Sequence, residues 1–233
     1  MRSVILVPGL ACDAELFRDQ LPQLQTTHRV HVSDAHTRFR ALPQMAAALL
    51  AEHPGAHIWV GSSMGGMLAL EVHRQAPQRV LGLALLGSTA RADTPELIRL
   101  RSEAIALFEQ GRMDEVLRAN VMFAFHADSA FDPDMVRRYL AMIRRAGVEQ
   151  LVRQNRAVMA RIDQRPHLQT IRCPLLLACG DADQLTPSEC SREMAAAVPQ
   201  ARLEVIERCG HLLTWEQPER VNALLQDWLP TLE

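Results

Sequence analysis

A serine within Gly61-Ser62-Ser63-Met64-Gly65 has the surroundings that nucleophilic catalysis needs. The segment has the G-x-S-x-G pattern of a nucleophile elbow, in which a serine occupies a strained turn between a strand and a helix. The apolar run Ile58 to Val60 precedes it, and a helical pattern begins at Met67. Ser63 is therefore the candidate nucleophile for attack on a carbonyl group. Because the bare motif recurs by chance, a purely structural role for Ser63 stays open at this point.

A serine hydroxyl needs a general base, because its pKa is too high for attack at neutral pH. Among the nine histidines, His211 follows a late apolar strand and precedes the last helix, where a doubly wound sheet presents its strand ends to one crevice. We predict His211 as the base, with a capping or core histidine as the alternative. Asp181 and Asp183 follow the strand Leu175 to Cys179, and either carboxylate could orient the imidazole. Asp181 could instead bind the backbone amides of its own turn.

The composition excludes several other classes of function. The chain has 233 residues, of which 48% are hydrophobic, and a net charge of -2, so it favours one folded domain without a basic nucleic-acid surface. The five cysteines are odd in number and lack C-x-x-C spacing, which argues against a disulfide framework and a zinc site. The apolar run Val4 to Val7 is too short for a signal peptide or a membrane span. We expect a cytoplasmic monomer or homodimer that acts on a small molecule without metal, cofactor or membrane.

Apolar strands that alternate with helices predict a parallel sheet covered by helices on both faces. Polar and apolar residues alternate in Arg29 to Val32 and in Leu203 to Ile206, as they do in strands at the edge of a sheet, so we predict these two strands as the edges. Asp13 and Thr186 are predicted to cap the helices that follow them. The six predicted strands are Val4 to Val7, Arg29 to Val32, Ile58 to Val60, Val80 to Leu86, Leu175 to Cys179 and Leu203 to Ile206.

Residues 91–168 show helical spacing and no convincing strand. Thr94-Pro95 and Asp132-Pro133 each combine an N-cap residue with proline in the first helical turn. We predict a helical insertion over these residues, between two parts of an α/β core formed by residues 1–90 and 169–233.

Three motifs together resemble those of the α/β-hydrolases with a helical lid. They are the elbow Gly61 to Gly66, the acid loop Gly180-x-x-Asp183-x-x-x-Pro187, and Gly210-His211 followed by Glu216-x-Pro218-Glu219. The chain order Ser63, Asp183, His211 is also that of the family. The resemblance implies Asp183 rather than Asp181 as the acid, and it implies an oxyanion hole formed by the backbone amides of Leu10 and Met64.

The chain departs from the family pattern in two loops and at its first strand. Pro8-Gly9 stands where many relatives have His-Gly, so the oxyanion loop must be anchored differently, and residues 34–38 lack the glycine-rich turn common at that place. The usual N-terminal hairpin has no room before Val4. We therefore predict a truncated α/β-hydrolase fold whose six strands are all parallel, in the order 2-1-3-4-5-6.

The resemblance implies a serine hydrolase, in particular a carboxylesterase, whose lid supplies the pocket for a small and largely apolar acyl group. The aromatic-rich part of the helical insertion provides the predicted pocket residues, although packing within the insertion explains them as well. A carbon-carbon bond hydrolase, an enol-lactonase or a lyase could use the same triad, and a non-catalytic binding protein could use the same scaffold. The predicted pocket residues are Met122, Phe123, Phe125 and His126.

Overall fold

A computed structural model of the protein describes residues 2–232. Its six strands form one sheet in the order β2-β1-β3-β4-β5-β6, and every neighbouring pair is parallel. The predicted strand number, direction and order are therefore confirmed. The strands are β1 Ser3–Val7, β2 Arg29–Val32, β3 His57–Ser62, β4 Val80–Leu86, β5 Leu175–Gly180 and β6 Arg202–Ile206.

Strand composition follows position in the sheet. The inner strands β3, β4 and β5 are buried along almost their whole length, because helices cover both of their faces. The edge strand β2 alternates exposed and half-buried residues, and β6 is mostly half-buried. The two strands predicted to form the edges do so.

Helices occupy most of the connections between strands, and their bounds agree closely with the periodic segments of the sequence. Asp13 caps a short 3-10 helix, Ala14–Phe17, by accepting a hydrogen bond from the backbone of Glu15. The α-helices are α1 Leu21–Leu24, α2 Leu42–Glu52, α3 Met64–Gln75, α4 Pro95–Glu109, α5 Met113–Ala124, α6 Ala127–Ala130, α7 Pro133–Met159, α8 Arg165–Leu168, α9 Ser188–Ala197, α10 Leu213–Glu216 and α11 Pro218–Trp228.

The sheet separates two apolar clusters, because successive side chains of a strand point to opposite faces. Ile5 and Trp59 pack on the face covered by α2, α3 and α9. Val4 and Val60 pack on the other face with α11 and with buried residues of α4, α5 and α7. Both clusters therefore continue from the sheet into the helical insertion, since the first also includes Ala157 and Val158 of α7 and Leu168 of α8.

Residues 91–168 contain helices α4 to α8, and no strand lies between β4 and β5. Thr94 and Asp132 cap α4 and α7 through their side-chain oxygens, as the sequence predicts. The long helix α7 is interrupted at Gly147, whose φ of 76° is outside the helical range. Glycine adopts this left-handed region without the steric cost that a side chain brings.

The five cysteines of the chain are free thiols in the structure. Residues 2–232 contain no group of three or more histidine, cysteine or acidic side chains arranged to hold a metal ion. Over the same residues, the longer helices lack the continuous apolar stretch that spanning a membrane requires.

Candidate active site

Ser63 lies between the end of β3 and the start of α3 in a backbone conformation that side chains rarely adopt. Its φ is 53° and its ψ is -117°. Such strain persists where the surrounding structure holds it. Here the N–H of Ser63 donates to the carbonyl of Leu86 at 2.9 Å, and the Ser88 hydroxyl donates to the carbonyl of Ser63 at 2.8 Å. The carboxyl end of β4 therefore fixes the elbow.

Two glycines let α3 approach strands β3 and β1 closely enough to form this turn. A Cβ atom on Gly61 would lie 2.2 Å from the carbonyl oxygen of Gly65. A Cβ atom on Gly65 would lie 1.9 Å from the carbonyl oxygen of Val7 in the neighbouring strand β1. Both distances are far shorter than any real contact, which explains the glycines on either side of Ser63.

His211 and Asp183 form a buried hydrogen-bonded pair. His211 Nδ1 lies 2.8 Å from Asp183 Oδ2, and both residues are almost fully removed from solvent. The other carboxylate oxygen of Asp183 accepts the backbone N–H groups of Leu185 and Thr186, each at 2.9 Å. The carboxylate is thus held in one orientation toward the imidazole.

Thr186 has a different position from the one predicted. Helix α9 begins at Ser188 after Pro187, and no side chain caps it. The Thr186 hydroxyl instead donates to Asp183 Oδ2 at 2.8 Å and lies 3.2 Å from His211 Nδ1. The prediction of a helix cap was wrong because the helix begins one residue later, which places Pro187 rather than Thr186 at the N-cap position.

The two members of the pair shift each other's pKa. Burial lowers the pKa of His211, but the charge and hydrogen bond of Asp183 outweigh burial and raise it above its usual value. Burial raises the pKa of Asp183, but His211 and the hydrogen bonds from Thr186 leave it below its usual value. The imidazolium form of His211 and the carboxylate form of Asp183 therefore stabilise each other.

Asp181, the alternative acid, contacts backbone rather than the imidazole. Its Oδ1 accepts the backbone N–H of Cys209 at 3.1 Å. This hydrogen bond joins the acid loop to the loop that carries His211. Asp181 therefore binds a backbone amide, as the second interpretation has it, but this amide belongs to the histidine loop rather than to the turn of Asp181 itself.

Glu216 holds the histidine loop on both sides of His211. Its Oε1 accepts the backbone N–H groups of Gly210 at 3.0 Å and Leu212 at 3.2 Å. Its Oε2 accepts the N–H of His126 at 2.8 Å, at the start of α6. The family motif that contains Glu216 thus ties the candidate base to the helical insertion.

The loop after β1 brings Leu10 toward the elbow. Over residues 2–232, neither the backbone N–H of Leu10 nor that of Met64 has a hydrogen-bond acceptor, and both residues line the cavity that contains Ser63. Ala11 adopts a φ of 57°, which turns the loop sharply. Two free amides beside a serine are the arrangement that stabilises an oxyanion.

Gln154 and His36 anchor this loop, in which Pro8-Gly9 replaces the family's His-Gly. The fully buried Gln154 of α7 accepts the N–H of Ala11 at 2.7 Å and donates to the carbonyl of His36 at 2.9 Å. His36 Nε2 lies 2.9 Å from the carbonyl oxygen of Cys12. His36, in the loop after β2 that lacks the glycine-rich turn of relatives, therefore supplies one of the two anchors.

A cavity of about 630 Å³ contains the candidate residues Ser63, His211, Leu10 and Met64 on its wall. Helices α4, α5 and α7 contribute a largely apolar part of the remaining wall, and charged residues of the helical insertion also line it. Of the four predicted pocket residues, Phe123 lines the cavity.

The other three predicted pocket residues lie elsewhere in the structure. Phe125 is buried and packs edge-on against Tyr139, with ring centroids 5.4 Å apart. The Met122 side chain is about half exposed, and the His126 side chain accepts the N–H of Asp128 at 3.2 Å. Met122 differs from Phe123 because successive residues of a helix point in different directions, whereas Phe125 and His126 follow the last residue of α5.

Arg101, Gln154 and His36 are site residues that sequence reasoning did not identify. Arg101 lines the cavity, whereas Gln154 and His36 support the loop of Leu10. A polar Gln154 among the apolar residues Leu151, Val152 and Val158 was the available signal for a buried hydrogen bond. The pattern did not indicate its partner.

A six-stranded parallel sheet with a serine elbow after its third strand and a histidine-aspartate pair beyond its last strands defines the class of α/β-hydrolases. The chain belongs to the alpha/beta hydrolase family, whose sequence model matches residues 4–224.

Individual relatives within this family differ in the reactions that their names give. A candidate carbamate hydrolase, RutD of Serratia proteamaculans (strain 568), is 28% identical over 85% of this chain and 74% of that protein. A pimeloyl-[acyl-carrier protein] methyl ester esterase of Edwardsiella ictaluri (strain 93-146) is 27% identical over 96% of this chain and 92% of its own length. The malate-bound structure of a thermophilic esterase from Thermogutta terrifontis superimposes with a TM-score of 0.90, 25% identity, and coverage of 100% and 90%.

Proposed function

We propose that this hydrolase cleaves a carboxylic ester of a small, largely apolar molecule through an acyl-enzyme on Ser63. One observation carries the proposal: a serine in an elbow lies on the same cavity as a buried histidine-aspartate pair. The esterase names among the relatives support the choice of an ester as substrate.

His211 acts as the general base in the proposed reaction. It takes the proton from the Ser63 hydroxyl as the oxygen attacks the ester carbonyl, and then gives that proton to the alcohol that leaves. Asp183 orients the ring through Nδ1, which leaves Nε2 free to face the serine, and it stabilises the imidazolium ion. Water enters after the alcohol departs and releases the acid by the same steps in reverse.

The N–H groups of Leu10 and Met64 are proposed to stabilise the negative oxygen of the tetrahedral intermediate. Both donors lack an acceptor among residues 2–232, so they need no rearrangement before the reaction. Removing one donor of this type typically slows an enzyme by about 10²- to 10³-fold.

Residues 91–168 are proposed to act as a lid domain over a core made of residues 1–90 and 169–233. Cavity residues from three of its helices support this division, because they enclose the space next to Ser63. Their mainly apolar character favours an apolar acyl or alcohol group. These residues include Leu97, Leu100, Phe108, Leu117, Phe123, Ile143 and Leu151.

Labelling with a fluorophosphonate probe tests the nucleophile. The native protein should be labelled once, at Ser63, and Ser63→Ala should lose both labelling and ester hydrolysis, the latter by roughly 10⁴-fold or more. Ser62→Ala is the matched control, because Ser62 is the neighbouring serine at the end of β3, and it should still be labelled. Equal labelling of Ser63→Ala and native protein would contradict the proposed mechanism.

A further inference from the structure

One part of the cavity wall is polar, in contrast to the apolar residues around it. Asp93 follows β4, Arg101 lies in α4, Asn155 lies in α7, and Arg161 follows α7. All four line the cavity that contains Ser63. Charged side chains from separate segments of the helical insertion are thus brought to the proposed substrate site.

This polar group carries more positive than negative charge. Arg101 Nε donates to one oxygen of Asp93 at 2.8 Å, and Arg161 Nη1 lies 2.6 Å from the other oxygen. Asp93 and Arg161 are almost completely buried. The remaining charged arginine on the wall, Arg91, is paired with Glu193 at 2.8 Å. One carboxylate cannot neutralise two guanidinium groups, so one positive charge remains.

Arg101 is the member of the group with donors to spare. A guanidinium has five N–H groups. Arg101 uses one at Nε for Asp93 and one at Nη1 for Asn155 Oδ1, at 2.9 Å, and its other three have no acceptor within residues 2–232. Arg161, by contrast, also donates to the carbonyls of Arg91 and Val158. The Arg101 side chain remains 28% exposed.

The surplus charge is near the proposed catalytic residues. Burial lowers the pKa of His211, and Asp183 raises it. The positive charge of Arg101 also lowers the pKa of His211. An anionic group bound to Arg101 would therefore lie in the same cavity as an ester bond at Ser63.

We infer that Arg101 binds a carboxylate of the substrate, so that the preferred substrate is a monoester of a dicarboxylic acid. The inference rests on the proposed ester hydrolysis and specifies its substrate class. A carboxylate carries the single negative charge that balances the polar group, and its two oxygens match the fork of a guanidinium. The apolar wall, including Leu97, Leu100 and Leu151, accommodates the methylene chain between the two ends.

Matched pairs of esters test this specificity in the native protein. The monomethyl esters of succinate, glutarate, adipate and suberate are compared with the methyl esters of the corresponding monoamides, which have the same shape without the charge. Methanol release should show that kcat/KM for one chain length is about 10- to 100-fold higher for the acid than for the amide, since a charged hydrogen-bonded contact is lost in the amide.

Variants of Arg101 assign the preference to this side chain. Arg101→Gln should lower kcat/KM for the acid ester, mainly through KM, by about 10- to 100-fold more than for the amide ester. Arg101→Lys should recover part of the preference, because it restores charge but not the fork. Arg99→Gln is the control, since Arg99 lies in the same helix, is 68% exposed and does not line the cavity. Thermal unfolding checks that each variant is folded.

Further outcomes separate this inference from the proposed function. Cleavage of acid and amide esters at equal rates, or equal loss of both in Arg101→Gln, would leave the hydrolase mechanism intact and overturn the carboxylate site. Calorimetric binding of adipate but not adipamide to the native protein, lost in Arg101→Gln, would support the carboxylate site even if no tested ester is cleaved. Absence of adipate binding together with absence of cleavage would overturn it.

Discussion

Asp183 is fully engaged by the residues around it, which gives this carboxylate a defined electrostatic role. It accepts four hydrogen bonds, two from backbone N–H groups, one from Thr186 and one from His211. Such a carboxylate remains ionised and holds the proton of His211 at Nδ1. The consequence for the proposed base can be measured, because a neutral imidazole is the form that accepts the serine proton.

The pH dependence of hydrolysis should reflect the raised pKa of His211. Because Asp183 raises that pKa above 6.5, kcat/KM for an uncharged ester should increase with pH and level off only above a pKa higher than 6.5. In Asp183→Asn the main cause of the upward shift is gone and burial lowers the pKa, so the acid limb should move to lower pH. The kcat of this variant should also fall by about 10²- to 10⁴-fold.

Asp181→Asn is the matched control for this experiment. Its carboxylate binds the N–H of Cys209 rather than the imidazole, so its acid limb should stay at the native pH. A limb that moves in Asp181→Asn and stays in place in Asp183→Asn would reverse the assignment of the acid.

At the scale of elements, the proposed oxyanion loop after β1 is anchored by a helix far from it in sequence. Gln154 in α7 and His36 after β2 bind the backbone of residues 11 and 12, next to Leu10. These contacts make the helical insertion part of the proposed catalytic geometry as well as a boundary of the cavity.

Substitution of Gln154 should therefore affect turnover. Gln154→Met keeps the size of the side chain but leaves the buried N–H of Ala11 without an acceptor, a loss of about 1 to 3 kcal/mol in stability. If the loop shifts, kcat for an uncharged ester should fall by roughly 10-fold or more, with a smaller change in KM, because the Leu10 amide contributes in the transition state.

Kinetics and thermal unfolding of the native protein, Gln154→Met and Gln110→Met check this expectation. Gln110→Met provides the control, since Gln110 is exposed at the end of α4 and should retain native kinetics and stability. A stable Gln154→Met protein with unchanged kcat would show that the loop keeps its position without this anchor.

At the scale of the whole molecule, the sheet and the helical insertion share both apolar clusters. Buried residues of α4, α5 and α7 belong to the same cluster as residues of β1, β3, β4 and β5. Elements that share a core lose its contacts together when the protein unfolds.

Thermal unfolding should accordingly be one transition for both parts of the chain. Arg138 of α7 lies over the Trp215 ring, 4.6 Å from its centroid, so the measurement uses Trp215→Phe. The remaining Trp59 and Trp228 lie outside residues 91–168 and their fluorescence reports the core, whereas far-ultraviolet circular dichroism includes all helices. The two signals should give the same midpoint. A loss of helical signal at a lower temperature than the fluorescence change would show that the insertion unfolds independently.

Much of the fold was predictable because its determinants are local. Apolar runs such as Val80 to Leu86 and Leu175 to Cys179 identify buried parallel strands, and the alternation in Arg29 to Val32 identifies an edge. The elbow was also predictable, since its glycines and serine are adjacent in sequence and a strained turn allows few other residues.

Contacts between distant residues were decided only by the tertiary structure. Thr186 could have capped a helix, and the direction of its hydroxyl depends on a carboxylate and an imidazole that folding brings beside it. Arg101 and Asn155 are 54 positions apart, and Gln154 and Ala11 are 143 apart. The sequence by itself determined six apolar or alternating strands and the candidate residues Ser63 and His211, because periodicity and short motifs encode them. The sheet order and the choice of Asp183 over Asp181 followed from the resemblance of these motifs to those of the α/β-hydrolases. The charged cavity wall and the anchors of the oxyanion loop needed the folded chain, because hydrogen bonds between separate elements leave no periodic trace.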